Sequence, residues 1–227
     1  MSEYLLINIL IVIVPLVLSF EKKIRFIKKL KSYLVSIAVI STAYIIWDSV
    51  AVYRNDWGFN PAYLSGINIL NLPLEEILFF ITVPYSCIFI YETVNLYIKE
   101  RKVRFSKYAY LLASFLLIVA AIIFLSQYYT FTVLLFTAAF LIIASVFFSA
   151  ILKSSTYWLT ILITYVPFFA VNYILTSFPI VTYNSSAIWN KRFLTIPLED
   201  FFYSFSMISF WLLVYLISEK KLSFKKP

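Results

Sequence analysis

Long apolar runs alternate with short polar clusters along the whole chain. The apolar windows fall at about 4–20, 33–53, 72–98, 108–126, 131–151, 156–176 and 196–218. Each reaches or approaches the roughly 20 residues that a helix needs to cross hydrocarbon. The pattern predicts an all-α integral membrane protein with seven transmembrane helices. The first run begins at once, with no basic residues before it and no small-residue cleavage site, so it is expected to remain as a helix. The clusters between the runs alternate in charge. "EKKIRFIKKLK", "KERKVRFSK", Lys153 and "EKKLSFKKP" hold 16 of the 19 Lys and Arg, whereas the other side holds Arg54, Lys191 and Arg192. The positive-inside rule then places the N-terminus outside and the C-terminus in the cytoplasm.

One motif recurs within this pattern. "NLPLEEILFF" (residues 71–80) and "TIPLEDFFYS" (residues 195–204) place Glu75 and Glu76 against Glu199 and Asp200 at an offset of 124 residues. Helices 1–3 and 5–7 therefore correspond, and helix 4 restores the orientation between them. The result is a parallel 3+1+3 repeat with its axis along the membrane normal. The single membrane domain spans residues 1–227, with a first half at 1–98, a connecting helix 4 region at 99–130 and a second half at 131–227. Long outer loops (54–71 and 177–195) precede the acidic helix of each half. At the same offset Asp48 matches Asn172.

A carboxylate in the first turn of a helix can serve simply as a cap, because the helix dipole favours it there. Three observations argue for more. The motif occurs twice, a cap needs one acid rather than two, and Asp48 lies at similar depth on the preceding helix. Neighbouring helical residues point about 100° apart, so Glu75 and Glu76 are not expected to share one role. Ionisable groups inside a membrane are functional candidates by default. Glu92 and Glu100, toward the cytoplasmic end of helix 3, read instead as interfacial or solvated.

Composition narrows the chemistry. The chain is 63% hydrophobic and only 13% charged, and its net charge of +8 lies in loops rather than in a soluble domain, which argues against nucleic acid as a partner. There is no His, which removes the usual general base and the commonest metal ligand. Two glycines cannot build a dinucleotide fingerprint, and the lone Cys87 cannot form a disulfide or a cysteine metal cluster. No metal, flavin or nicotinamide site is expected. Acid–base work falls to carboxylates, tyrosines, lysines or the cysteine. The 46 aromatic residues crowd near the acids, where ring faces can stabilise cations. An interfacial aromatic belt is the plainer reading of any single Trp or Tyr.

The stretch "WDSVAVYRNDWGFNPAYLSGINILNLPLEEILFF", followed by "IPLEDFF", resembles the lycopene cyclase domain of the small integral-membrane carotenoid cyclases. The resemblance covers essentially the whole chain and matches the fused form of the two-subunit bacterial enzymes. It implies proton-initiated cyclisation of the linear ends of lycopene to β-rings, an isomerisation with no net redox change. It further implies Glu75, Glu76, Glu199, Asp200 and Asp48 as acid–base residues, with Trp47, Trp57, Phe79, Phe80, Asn172, Phe201 and Phe202 lining the substrate path. The implied partners are the lipid bilayer, lycopene and other carotenoid enzymes, and the implied location is the bacterial cytoplasmic membrane. The alternative from another class is a small proton-coupled carrier, which shares the 3+1+3 layout.

Overall fold

The computed structural model describes residues 1–220; the basic tail beyond Lys220 lies outside the described residues. The chain is mostly helical. We number the helices α1 (Glu3–Leu18), α2 (Phe26–Tyr53), α3 (Leu74–Tyr97), α4 (Lys107–Ile123), α5 (Tyr128–Phe147), α6 (Ser155–Ser177) and α7 (Glu199–Ser218). Five of them, α2, α3, α5, α6 and α7, are long and apolar enough to cross a membrane. At 1.5 Å per residue, the 16-residue α1 and the 17-residue α4 extend only about 24–26 Å. The sequence windows locate every helix to within a few residues, except that α2 begins earlier, in a 3-10 turn over Phe26–Lys29.

Three helices carry an internal proline, and in two of them the carbonyl so freed finds a serine. Pro84 in α3 cannot donate to Phe80 O, which accepts instead from Ser41 Oγ at 2.8 Å. Pro15 in α1 likewise frees Ile11 O, which accepts from Ser86 Oγ at 2.9 Å. Ser41 ends a π-helical turn (Ile37–Ser41) within α2 and also accepts from Trp211 Nε1 at 3.0 Å. In hydrocarbon no water is available to make these repairs, so neighbouring helices must.

Packing follows the repeat. Within each half the first helix lies along the third, α1 on α3 and α5 on α7. Across the halves the second helix of one packs on the third of the other, α2 on α7 and α6 on α3. The core is correspondingly aromatic: Trp47 lies 5.0 Å from both Phe136 and Tyr203, ring centre to ring centre, and Tyr44 packs edge-on to all three.

The long outer loops hold short strands, and these repeat at the same offset of 124. The strands are β1 (Trp57–Phe59), β2 (Asn68–Ile69), β3 (Leu72–Pro73), β4 (Val181–Tyr183), β5 (Arg192–Phe193) and β6 (Ile196–Pro197). β2–β3 and β5–β6 are hairpins, each turning through a leucine with positive φ, Leu70 at 59° and Leu194 at 54°. Gly66 and Asn190, another equivalent pair, are also left-handed, and these are the residue types that adopt that conformation most readily. β1 pairs antiparallel with β4, and in that register Gly58 opposes Thr182, its own equivalent. The two halves thus clasp each other on their symmetry axis. Asn60 N to Ile180 O and Asn184 N to Asp56 O extend the clasp at both ends.

At the opposite end of the bundle Glu92 is buried rather than solvated. Lys29 pairs with it and Tyr215 Oη donates to it at 2.7 Å. Glu100 is exposed, as expected, and accepts hydrogen bonds from Ser154 and Ser155.

Candidate active site

α3 and α7 both begin directly after a hairpin strand, so their first-turn acids lie beneath the outer loops. The two acids of each motif then diverge around the helix. Glu75 Oε1 accepts from Ser2 Oγ and from the backbone N–H of Ser65, both at 2.6 Å. Glu199 Oε1 accepts from Thr130 Oγ1 at 2.6 Å and from the backbone N–H of Trp189. Ser65 and Trp189 are themselves 124 residues apart. The first acid of each motif therefore anchors its own loop.

The second acids turn inward. Glu76 Oε2 accepts from Tyr4 Oη at 2.5 Å and its carboxyl meets that of Asp48 from α2. Asp48 Oδ1 also accepts from Tyr203 Oη at 3.1 Å, across the boundary between the halves. Asp200 accepts on both oxygens, from Tyr129 Oη at 2.6 Å and Tyr183 Oη at 2.9 Å. Burial, and then the neighbouring Asp200, push the Tyr183 phenol well above its ordinary range, so in its strand it stays a donor.

Asp48, Glu76 and Asp200 line one cavity with about 920 Å³ of empty space, part of it open to the surroundings. Its other walls are mostly apolar and come from both halves, among them Trp57, Phe59, Phe79, Val83, Phe168, Val171 and Met207. Along α3 it runs from Glu76 to Ile90, about 21 Å at helical rise. The acids sit at the loop end and the floor is formed by residues such as Cys87, Ile90, Thr164 and Ile208. Such a chamber suits a long apolar molecule whose end meets proton-carrying groups.

The family model described as lycopene cyclase matches this chain over residues 2–94 and again over 126–217. The chain belongs to the lycopene cyclase family. No curated protein and no solved structure matched it. The two matched stretches fall on the two structural halves, leaving the whole of α4 between them. Membership makes the protein a carotenoid cyclase in general terms, and with its apolar helices places it at a membrane.

Within this lycopene cyclase fold the candidate residues separate into two groups. Asp48, Glu76, Asp200, Trp57, Phe79 and Asn172 line the cavity. Glu75, Glu199, Trp47, Phe80, Phe201 and Phe202 are not among its lining residues. Trp47 stands behind Trp57, edge to face at 6.0 Å, and Phe80 is fully buried in the core. Phe201 stacks on Tyr165 at 6.1 Å and also contacts Phe168 and Phe169, while Phe202 packs against the core. Four tyrosines that direct their hydroxyls at the acids, Tyr4, Tyr129, Tyr183 and Tyr203, were not among the candidate site residues, although Tyr203 stands among the aromatics beside the second motif. Their residue type alone reads as interfacial belt, and the signal that could have found them is position. Tyr203 follows Asp200 by one helical turn, and Tyr183 lies in the loop equivalent to the Asp–Trp element at Asp56 and Trp57.

Proposed function

We propose that the protein cyclises the linear ends of lycopene to β-rings by proton transfer between its carboxyl groups and the substrate, without a redox cofactor. One observation carries this reading beyond family membership: acids from both halves converge on a single apolar cavity lined by aromatic rings. The terminal trisubstituted double bond takes a proton and becomes a tertiary carbocation. The neighbouring double bond closes the six-membered ring, and loss of a proton from the adjacent carbon leaves the ring alkene. Because the proton lost equals the proton gained, no oxidant or reductant is consumed. Dry walls protect the cation from water, and the faces of Trp57 and Phe79 stabilise it.

The polyene tail lies along α3 toward Ile90, with the reacting end beside Asp48, Glu76 and Asp200. Glu75 and Glu199 act on the loops rather than on the substrate. The chain crosses the bacterial cytoplasmic membrane seven times, with α1 and α4 as the shorter spans, the acids near the outer face and the basic loops inside. Its partners are the bilayer, the linear carotenoid and the enzymes that supply and use it. The test is to express the chain alone in a bacterium that accumulates lycopene and to separate the extracted pigments. Monocyclic or bicyclic carotenes are expected. Unchanged lycopene, with the protein present in the membrane, would overturn the reading.

A further inference from the structure

We infer that the two halves divide the reaction: the Asp48–Glu76 pair delivers the proton, and Asp200, held by Tyr129 and Tyr183, takes one back. The inference rests on the cyclase reading above. It comes from departures from the repeat rather than from the repeat itself. At the offset of 124, Asp48 is replaced by Asn172, Phe59 by Tyr183 and Phe79 by Tyr203. Each replacement alters the hydrogen bonds around one acid.

In the first half two carboxyl groups meet on adjacent helices, Asp48 on α2 and Glu76 on α3. Both line the cavity, and two carboxyl groups brought together out of water can hold one proton between them. Each member also accepts one tyrosine hydroxyl, at 3.1 Å for Asp48 and 2.5 Å for Glu76. Phe59, standing where the second half has Tyr183, offers no further donor. In the second half Asn172 stands in place of a carboxyl partner and turns its amide to Phe168 O at 3.0 Å. Asp200 is left without a carboxyl partner and with O–H donors on both oxygens, so any proton it takes must displace a tyrosine hydrogen bond.

The step balances. A proton passes from the pair to the terminal double bond, a carbon–carbon bond forms as the ring closes, and a proton from the adjacent carbon passes to Asp200. The site then resets between turnovers by exchange with solvent through the open part of the cavity, Asp200 losing its proton and the pair regaining one.

The division is tested with membranes holding the full chain and unlabelled lycopene in D2O buffer, read by chromatography and mass spectrometry. Wild-type protein should give one ring type with one deuterium per ring closed. Asp48→Asn and Glu76→Gln should leave lycopene both unconverted and unlabelled. Asp200→Asn should still form the cation. Recovered lycopene then gains deuterium as the cation reverts, and any cyclic product spreads over ring isomers or carries a hydroxyl from water. Tyr183→Phe, which keeps the ring and removes one donor, should shift the isomer ratio without matching loss of conversion. The division is overturned if Asp200→Asn leaves lycopene unlabelled, if Glu76→Gln labels it, or if Tyr183→Phe lowers conversion at a constant ratio. Wild-type protein that neither converts nor labels lycopene brings down the cyclase reading itself.

Discussion

Glu75 Oε1 accepts the backbone N–H of Ser65 at 2.6 Å, and the repeat reproduces the contact between Glu199 and Trp189. An acid that holds a loop and an acid that faces the cavity thus stand side by side in each motif. Glutamine in place of Glu75 keeps an oxygen for Ser65 and Ser2. It places an amide where Oε2 is buried without a hydrogen-bond partner. The cost is that of one unsatisfied buried group, about 1–3 kcal/mol of stability. Glu75→Gln should therefore lower the unfolding temperature while cyclisation stays within about tenfold of wild type. Glu76→Gln should cost about 100-fold or more, the usual worth of a positioned acid or base. Equal loss of activity in the two variants, at matched protein levels, would place Glu75 in the chemistry.

Gly58 and Thr182 face each other on the axis that relates the halves. Opposed residues in an antiparallel pair have Cα atoms about 4.5–5.5 Å apart, within the range a disulfide spans. A Cβ built at Gly58 would meet Thr182 Oγ1 at 3.9 Å, so a side chain fits there. The double variant Gly58→Cys/Thr182→Cys should cross-link under mild oxidation, and Cys87 is buried away from the reagent. Cleavage in the loop between α3 and α4 should then leave the fragments joined on a non-reducing gel and separate them on a reducing one. Fragments that separate without reductant would contradict the clasp.

The sequence disclosed the helices and the repeat because both are written in apolar windows and in one duplicated motif. It also showed that Glu75 and Glu76 must diverge, since helical geometry alone separates adjacent side chains. The strands were not legible: pairings of two or three residues are too short to show an alternating pattern. A trace lay in Gly66 and Asn190, residue types suited to left-handed backbone and placed 124 positions apart. The tyrosines were hidden for another reason. Tyr4 and Tyr129 precede their acids by about 70 residues, so those contacts exist only once the first helix of each half lies along the third, and Tyr203 acts on an aspartate 155 positions away, a contact that exists only after the halves interlock.

The proposed seven crossings fix which loops face outward. Ser65 lies beside the motif of α3, and Lys102 in the next connection forms a bridge with Ser154. A reporter that is active only outside the cytoplasm should work when fused after residue 65 and fail when fused after residue 102. A cytoplasmic reporter should give the reverse. The same sign at both positions would mean that α3 does not cross.

Ser41 supports two helices at once, donating to the Phe80 carbonyl that Pro84 leaves free and accepting from Trp211 Nε1. Ser41→Ala removes both contacts in a site without water, so it should lower stability by about 1–3 kcal/mol, read as a lower unfolding temperature in detergent. Pro84→Ala restores an N–H that can reach Phe80 O within α3. In that background the Phe80 carbonyl no longer depends on serine, and only the Trp211 contact is lost. Ser41→Ala should therefore cost less in the Pro84→Ala protein than in wild type. A cycle of the four proteins measures the difference directly. Strict additivity would mean that the serine does not repair the proline break.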